Sequence, residues 1–177
     1  MKLMAAFVVA VAVGWSGVAG GAAAVPAPLL PLSFLLGTWE AGANTGPHGQ
    51  GAGIFTFRQS VMDQLIIRDS WAEYPAGAGE SGLAHADLMA IYATAAGPPE
   101  AHYYDSEGHV IHYVVTVPHP GRAVFVSDVA PGAPRFRLTY ALGDDGTLAG
   151  EFEVAPPGKP KEFAKYLAWE SRSMRSK

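Results

Sequence analysis

The chain has 177 residues, of which 49% are hydrophobic and only 16% charged, and its formal net charge at pH 7 is −4. It contains no cysteine, which excludes disulfides, thiolate metal ligands, a cysteine nucleophile and a lipid-modified N-terminal cysteine. The acidic excess argues against a nucleic-acid binder that neutralises phosphates with a basic surface. The length fits one domain, and 21 glycines with 14 prolines predict many turns rather than long helices.

The N-terminal segment has the composition of a secretory signal peptide. Lys2 is its one charge, Leu3 to Val18 form an apolar run, and Ala22-Ala23-Ala24 provides the small residues of a cleavage site before Val25. The apolar run falls short of the ~20 residues that a membrane span needs, so an uncleaved anchor is the less favoured alternative. We predict a signal peptide over 1–24, export to the periplasm or the extracellular space, and no stable membrane insertion after cleavage.

The remainder is predicted to form one antiparallel β domain over residues 32–172, preceded by a proline-rich linker at 25–31 and followed by a tail at 173–177. One helical turn is expected at Leu32 to Leu36. Short runs that alternate apolar and polar residues then follow, with turn-forming residues between them. The predicted strands are Thr38 to Ala43, Gly53 to Ser60, Gln64 to Tyr74, Leu83 to Thr94, the two arms of a hairpin from Ala101 to Val117, Arg122 to Asp128, Pro134 to Leu142, Thr147 to Pro156 and Lys161 to Arg172.

The hairpin after the fourth strand carries the clearest local signal. Asp105 suits the first position of a type I turn, and Gly108 suits the left-handed position that closes a three-residue loop. This turn sets Asp105 opposite His109 and therefore His102 opposite His112. The last two histidines are predicted to be cross-strand neighbours on one face of the sheet, whereas His109 points to the other face.

The last run is ambiguous between two kinds of secondary structure. The spacing of Phe163, Tyr166 and Leu167 fits a helix, and that of Phe163, Leu167 and Trp169 fits a strand. A strand is favoured because it would cover the edge that an open antiparallel sheet leaves. About ten short strands joined mostly by short hairpin loops predict an all-β, antiparallel up-and-down barrel, since a sandwich needs Greek-key crossings.

Three stretches together resemble a known group of proteins: Leu35-Leu36-Gly37-Thr38-Trp39-Glu40, Tyr104 to Tyr113, and Pro134 to Tyr140. The first is similar to the Gly-x-Trp opening of the calycin barrels, which include lipocalins, fatty-acid-binding proteins and nitrobindins. Residues 32–172 as a whole resemble the uncharacterised bacterial lipocalin-like proteins, a family with no settled activity. The resemblance implies a calycin-like barrel of eight to ten strands, with Trp39 plugging one end and a lumen for one small ligand.

Two functional features of these relatives do not transfer to this chain. Nitrobindin-like barrels ligate haem through a histidine near the end of the chain, and no histidine follows His119 here. Fatty-acid-binding proteins hold a carboxylate with an Arg-x-Tyr pair, whereas Arg137 and Tyr140 are one residue further apart and so fall on opposite faces of a strand. No cofactor is therefore expected, and haem is kept only as an alternative.

The sequence contains no catalytic constellation. His102 and His112 provide two metal ligands, but a third would have to come from a residue such as His85 or Asp87, whose register the sequence does not define. No serine has the setting of a nucleophile, and the paired carboxylates fall in a turn and on a solvent face. These observations favour a binding protein over an enzyme and assign no metal site.

Arginines and aromatic residues remain as candidates for ligand binding. Arg58 and Arg68 each lie within an apolar stretch, where an unpaired arginine is costly to bury. Each is therefore expected to pair with Asp69 or Glu73 near the rim, or to meet an anionic group of a ligand. The predicted ligand-binding residues are Trp39, Arg58, Arg68, Trp71, His102, Tyr104 and His112.

The leading hypothesis is an exported, non-enzymatic barrel that binds a small hydrophobic or amphiphilic ligand in its lumen. Two alternatives stay open. One is a haem-binding or enzymatic barrel that uses His102 and His112 as lumen histidines, and the other is an envelope structural or interaction module with a filled barrel. The sequence points to no nucleic-acid partner and identifies no protein partner, and fold analogy carries most of the functional inference.

Overall fold

The computed structural model describes residues 26–47, 50–76 and 82–174, without the side chains of residues 43–45. The predicted signal peptide at 1–24 and the end of the predicted tail, residues 175–177, lie outside the described residues. Within the described ranges, no helix has the length and apolar character needed to cross a membrane.

The strands form one closed antiparallel barrel of up-and-down topology, which confirms the predicted fold class. Each strand pairs with the next one in the chain, and the first strand pairs with the last to close the sheet. The strands are β1 (Gly37–Thr45), β2 (Ala52–Ser60), β3 (Leu65–Tyr74), β4 (Leu83–Tyr92), β5 (Glu100–Asp105), β6 (Val110–His119), β7 (Arg122–Ser127), β8 (Arg135–Leu142), β9 (Leu148–Ala155) and β10 (Ala164–Ser173).

The predicted hairpin register is confirmed. In the β5–β6 pair, His102 lies opposite His112, and the Asp105 amide contacts the His109 carbonyl across the turn. The Gly108 amide donates to the Asp105 carbonyl at 3.1 Å, and Gly108 has a φ of 87°. A glycine adopts this left-handed conformation without the steric penalty that a Cβ brings, so the loop sequence determines the register.

The last segment is a strand, β10, which pairs with β9 on one side and β1 on the other. Its pairing with β9 shifts between Lys165 and Leu167, which leaves Tyr166 as an extra residue. A bulge of this kind changes the phase of alternation within one strand. The shift explains why the apolar residues of this segment fit a helical spacing as well as a strand spacing.

Strand pairing determines which side chains face the interior. The buried Phe55 and Phe57 of β2 pair with Ser70 and Arg68 of β3, and directly paired residues share one face of a sheet. The inner face can therefore be followed from strand to strand around the barrel. On the later strands it includes Met89 and Ile91, Ala101 and Tyr103, Tyr113 and Val115, Ala123 and Phe125, Leu138 and Tyr140, Leu148 and Gly150, and Trp169 and Ser171.

A 3₁₀ helix at Ala27–Leu35 covers the end of the barrel at which β1 begins. Three of its four leucines, Leu29, Leu32 and Leu35, are fully buried in the same core as the inward residues of the strands. Trp39 packs beside it and donates its indole N–H to the Leu35 carbonyl at 2.8 Å. The helix is longer than the predicted single turn and takes in most of the predicted linker, because Leu29 finds a buried position there.

The half of the barrel next to this helix is packed with buried side chains, and we call it the filled half. Its aromatic rings meet edge to face, with centroids 5.4 Å apart for Phe57 and Tyr140 and 6.2 Å apart for Phe125 and Tyr140. Ile66, Ile91 and Val115, among others, complete it with no exposed surface. Such packing is typical of small barrels whose interiors are filled by side chains.

Candidate functional site

The half of the barrel away from the helix, which we call the open half, contains a cavity of about 560 Å³, the lumen cavity. This volume lies within the range of roughly 300–1,000 Å³ found for small-molecule sites. Strands β2 to β6 supply one side of the wall and strands β8 to β10 supply the other. The two sides differ in chemistry, so each is described in turn.

Arg68 lies at the inner end of the lumen cavity and is buried. Its guanidinium forms an ion pair with Asp87, donates from Nη2 to Ser70 Oγ at 3.1 Å, and stands over the Phe55 ring at 5.3 Å. Burial works to lower the pKa of Arg68, but Asp87 and three nearby tyrosines shift that pKa above its ordinary value. Arg68 is therefore charged and neutralised within the protein, and its Nε has no hydrogen-bond partner among the described residues.

His85 connects this ion pair to the mouth of the cavity. Its Nε2 lies 3.1 Å from the Tyr103 hydroxyl and 3.5 Å from a carboxylate oxygen of Asp87, and its Nδ1 lies 2.9 Å from Glu107. The hydrogen bond with Asp87 raises the pKa of His85, burial opposes this, and Glu107 adds to the rise. Protonated His85 thus donates to a carboxylate on each side.

The loop of the β5–β6 hairpin forms part of the cavity mouth. Asp105 Oδ1 accepts from the backbone amides of Glu107 and His109 at 3.1 and 2.8 Å, and Oδ2 lies 2.8 Å from His109 Nδ1. Burial would raise the pKa of Asp105, but these bonds to His109 lower it overall. In the described part of the chain, Asp105, Glu107 and His109 could together hold a metal ion, since they offer ligand atoms within 4.8 Å of one another. Because Asp105 and His109 already bond to each other within the turn, we assign these two residues a structural role.

The facing wall is apolar and largely aromatic. Phe136 and Phe152 are stacked with their ring centroids 5.7 Å apart, and Leu138 and Trp169 extend the same surface. Trp169 lies directly over Gly150, where a Cβ would overlap the indole ring. Glycine at this position allows Trp169 to occupy the interior, and the indole thereby limits the size of the cavity.

Three inward tyrosines, of which Tyr113 and Tyr140 are buried and Tyr103 is half-buried, bring hydroxyl groups into the barrel. Desolvation raises the pKa of Tyr103, Tyr113 and Tyr140, in the last case to about 12. Their hydroxyls therefore keep their protons at neutral pH and act as hydrogen-bonding groups. The hydroxyl of Tyr140 is buried without a hydrogen-bond partner among the described residues.

Two of the residues predicted to bind ligand, Arg68 and Trp71, border the lumen cavity. Trp71 does so from the rim, since it is 51% exposed and its indole N–H donates to Glu73 at 3.2 Å. Trp39 faces the interior but belongs to the filled half, next to the helix. The partner of Arg68 is Asp87, rather than either of the acids proposed from the sequence.

Arg58 and Tyr104 lie on the outer face of the barrel. Arg58 forms an ion pair with Asp69 at 3.3 Å, which is one of the partners that the sequence allowed, and both side chains are about half exposed. Tyr104 is 44% exposed and pairs with outward residues on both neighbouring strands. Neither residue lines the lumen cavity, because their neighbours Phe57 and Tyr103 occupy the inward positions.

His102 and His112 are neighbours, with ring centroids 5.0 Å apart, but they lie on the outer face. His112 contacts Asp128 at 2.8 Å and Glu100 at 3.3 Å, and His102 stacks on Tyr92 with centroids 5.8 Å apart. The hydrogen bond with Asp128 raises the pKa of His112 although burial lowers it. The alternative that placed these two histidines in the lumen is corrected, because the buried residues on either side of them take the inward positions.

The cavity-lining residues that the sequence does not identify are mainly on β4 and in the hairpin loop. From the sequence, His85 and Asp87 are only possible further metal ligands, without a defined register. One signal was available, because these two residues alternate in phase with Met89 and Ile91, which are apolar and buried. Polar residues at every second position, in line with buried apolar residues of the same strand, indicate that the strand has a polar stretch on its inward face.

No protein-family model matches this chain, and a search of curated proteins finds no match either. The function therefore has to be inferred from the geometry and chemistry of the lumen cavity.

Proposed function

We propose that this protein is an exported lipocalin-like barrel that binds one small amphiphilic molecule in the lumen cavity, without catalysis. The observation that carries the proposal is the two-sided cavity itself. An apolar wall from β8 to β10 faces a polar wall centred on Arg68, His85 and Asp87. A molecule with an apolar body and a polar group matches both walls at once.

The size and chemistry of the cavity support this function over a filled barrel. Burial of apolar ligand surface against Phe136, Phe152 and Trp169 contributes roughly 25 cal/mol per Å². A few fixed polar groups on the other wall then orient the ligand, which is the usual division of labour in small-molecule sites. In a module with a filled barrel, the inward side chains of the open half would instead occupy the space of this cavity.

The polar groups support hydrogen bonding rather than catalysis or haem ligation. Tyr103 is a hydroxyl beside a base, His85, but burial raises its pKa, so it offers a hydrogen bond and not a nucleophile. Both imidazoles that border the cavity contact carboxylates, His85 with Glu107 at 2.9 Å and His109 with Asp105 at 2.8 Å. These contacts favour roles in orienting a polar ligand.

Titration with the neutral fluorescent probe N-phenylnaphthylamine tests the proposal. We expect saturable binding with one site per chain. Val154→Trp, which fills the cavity, should weaken binding about tenfold or more, whereas Val110→Trp makes the same change on the outer face, at a residue 65% exposed, and should have no effect. Circular dichroism should show that both variants are folded. Equal affinity in both variants, or no saturable binding to the natural protein, would contradict a lumen site.

Export is proposed from the predicted signal peptide over residues 1–24. Expression of the full chain in a bacterial host with a periplasm, followed by fractionation and N-terminal sequencing, tests it. The expected product begins at Val25 or within a few residues of it and is found outside the cytoplasm. A full-length chain that is retained in the cytoplasm would overturn this part of the proposal.

A further inference from the structure

The charged groups that border the lumen cavity do not balance. Among the described residues, this lining contains one guanidinium, on Arg68, and three carboxylates, on Asp87, Asp105 and Glu107. The same lining also contains two imidazoles, those of His85 and His109. The lining is therefore negatively charged whenever at least one of the two imidazoles is neutral.

Arg68 is not available to hold an anionic ligand. It forms an ion pair with Asp87, and the two side chains are only 8% and 4% exposed. A carboxylate brought to this guanidinium would lie against the Asp87 carboxylate, and like charges at such a distance repel strongly in a low-dielectric interior. The arginine and Asp87 thus form a neutral floor for the cavity.

The two remaining carboxylates belong to the hairpin at the mouth, where the Glu107 side chain is partly exposed and the Asp105 side chain is only 6% exposed. Asp105 contacts His109 and backbone amides, and Glu107 contacts His85 and the Ser106 hydroxyl. Neither has a lysine or arginine partner among the described residues. The Glu107 side chain is 38% exposed, so a ligand at the mouth can reach it.

Aromatic rings line the same cavity as these carboxylates. Phe136, Phe152 and Trp169 line the facing wall, and Tyr103 and Tyr113 line the near one. The faces of aromatic rings attract cations, and they also pack well against an apolar ligand body. Carboxylates at the mouth of an aromatic cavity are therefore complementary to an ammonium group attached to an apolar body.

We infer that the lumen cavity selects amines: its ligand is a small amphiphilic cation whose ammonium group is held at the mouth by Glu107, with the charge of Asp105 adding to the attraction, and whose apolar body lies among the aromatic rings. This inference rests on the proposed function, because it names the chemical class of molecule bound at the same site. The selectivity comes from charge complementarity, which discriminates between ligands of equal size and shape.

A matched series of ligands tests the inference. Naphthylethylamine, naphthylethanol and naphthylacetate share one ring system and differ in charge, and each can be titrated by calorimetry in mildly alkaline buffer at low salt. At that pH the amine keeps its proton and the carboxyl group of naphthylacetate is ionised. We expect the amine to bind about tenfold more tightly than the alcohol, and the carboxylate to bind most weakly. Added salt should reduce the preference for the amine.

Two glutamate variants show whether the mouth is responsible for the preference. Glu107→Gln should bring the affinity ratio of amine to alcohol close to one. Glu162→Gln removes the same charge from an exposed loop residue that pairs with Lys159, and it should leave the ratio as it is in the natural protein. A second mouth variant, Asp105→Asn, should lower the ratio in the same direction as Glu107→Gln.

The outcomes separate the inference from the function on which it rests. Binding of all three naphthyl compounds without the expected order, or tightest binding of naphthylacetate, would overturn the selection of amines while the lumen site stands. Failure of the neutral probe and of all three compounds to bind would overturn the lumen site itself. The expected order, together with its loss in Glu107→Gln and its retention in Glu162→Gln, would support both.

Discussion

The filled half and the open half of the barrel are built from the same strands but serve different purposes. Along β4, the inward residues from the helix end outward are Ile91, Met89, Asp87 and His85, of which the first two have no exposed surface. The strand changes from apolar packing to polar lining within four inward positions. The difference shows that a single strand can contribute to a packed core at one end and to the lining of a cavity at the other.

Side-chain volume changes along the same direction. The inward residues of β2 are Phe57, Phe55 and Gly53, and those of β1 include Trp39 and Ala41. On these two strands, large rings lie toward the helix end and small residues toward the mouth. The small residues on this side leave space in front of the aromatic wall of β8 to β10, within a barrel whose diameter is set by strand number and tilt.

The largest effect is expected from removing a ring from the filled half. Phe57→Ala should lower the free energy of unfolding by about 3–5 kcal/mol, because Phe57 is fully packed and its loss leaves a void. Phe152→Ala makes the same change in the wall of the open half and should cost no more than half as much, since one side of that ring already borders a cavity. Urea unfolding followed by tryptophan fluorescence measures both. Equal losses would contradict the division into halves.

The second-largest loss of stability is expected from breaking the ion pair at the floor of the cavity. Asp87→Ala leaves the buried Arg68 charge without a partner and should cost about 3 kcal/mol in the free energy of unfolding. Adding Arg68→Met should restore most of that loss by removing the unpaired charge. Asp69→Ala breaks the half-exposed pair with Arg58 and should cost less than about 1 kcal/mol. A cost for Asp87→Ala as small as that for Asp69→Ala would show that the floor is open to water.

A smaller effect is expected where the halves meet. Gly150→Ala places a Cβ against the Trp169 indole and should destabilise the protein by about 1–3 kcal/mol, with a shift in tryptophan fluorescence. Gly42→Ala serves as the control, because a Cβ at Gly42 has no neighbour within 4 Å, and its effect should be within about 0.5 kcal/mol. Unchanged fluorescence and stability in Gly150→Ala would mean that the indole does not lie in the lumen.

The smallest effect expected is the pH dependence contributed by His85. Its pKa is raised in the folded protein by Asp87 and Glu107, so its contribution to stability is fully present below the ordinary pKa of about 6.5 and is lost as pH rises through the raised value. The stability difference between the natural protein and His85→Gln should therefore be larger in mildly acidic buffer than in mildly alkaline buffer. His112→Gln on the outer face should show the same sign. A difference that grows with rising pH would contradict the assignment.

Strand order, the hairpin register and the closed barrel could be predicted from the sequence because local features determine them. Asp105 and Gly108 fix the turn, and clean alternation in β8 and β9 assigns the inward residues Phe136, Leu138 and Phe152 correctly. These features depend on residues close in the chain, where turn chemistry and the two-residue period of a strand apply directly.

The inward face of β5 and the emptiness of the open half could not be predicted in the same way. His102 and Tyr103 are adjacent and both carry a polar ring, so hydropathy alone does not tell which one points inward. The inward face of β5 is the one on which Ala101 pairs with the buried Tyr113 and Tyr103 pairs with Ile111. The cavity depends on the summed volumes of inward residues from all the strands. These volumes can be added up only when the inward residues of every strand are known, which requires the register of the whole barrel.

The central claim is that the open half, and only that half, binds a small molecule. An NMR titration of isotope-labelled protein with N-phenylnaphthylamine tests it most directly, because backbone amide shifts report on each strand separately. We predict perturbations at residues of the open half such as Ser70, Asp87 and Phe152, and none at Ile91 or Val115 in the filled half. Perturbations confined to the outer face, or spread equally over both halves, would contradict the claim.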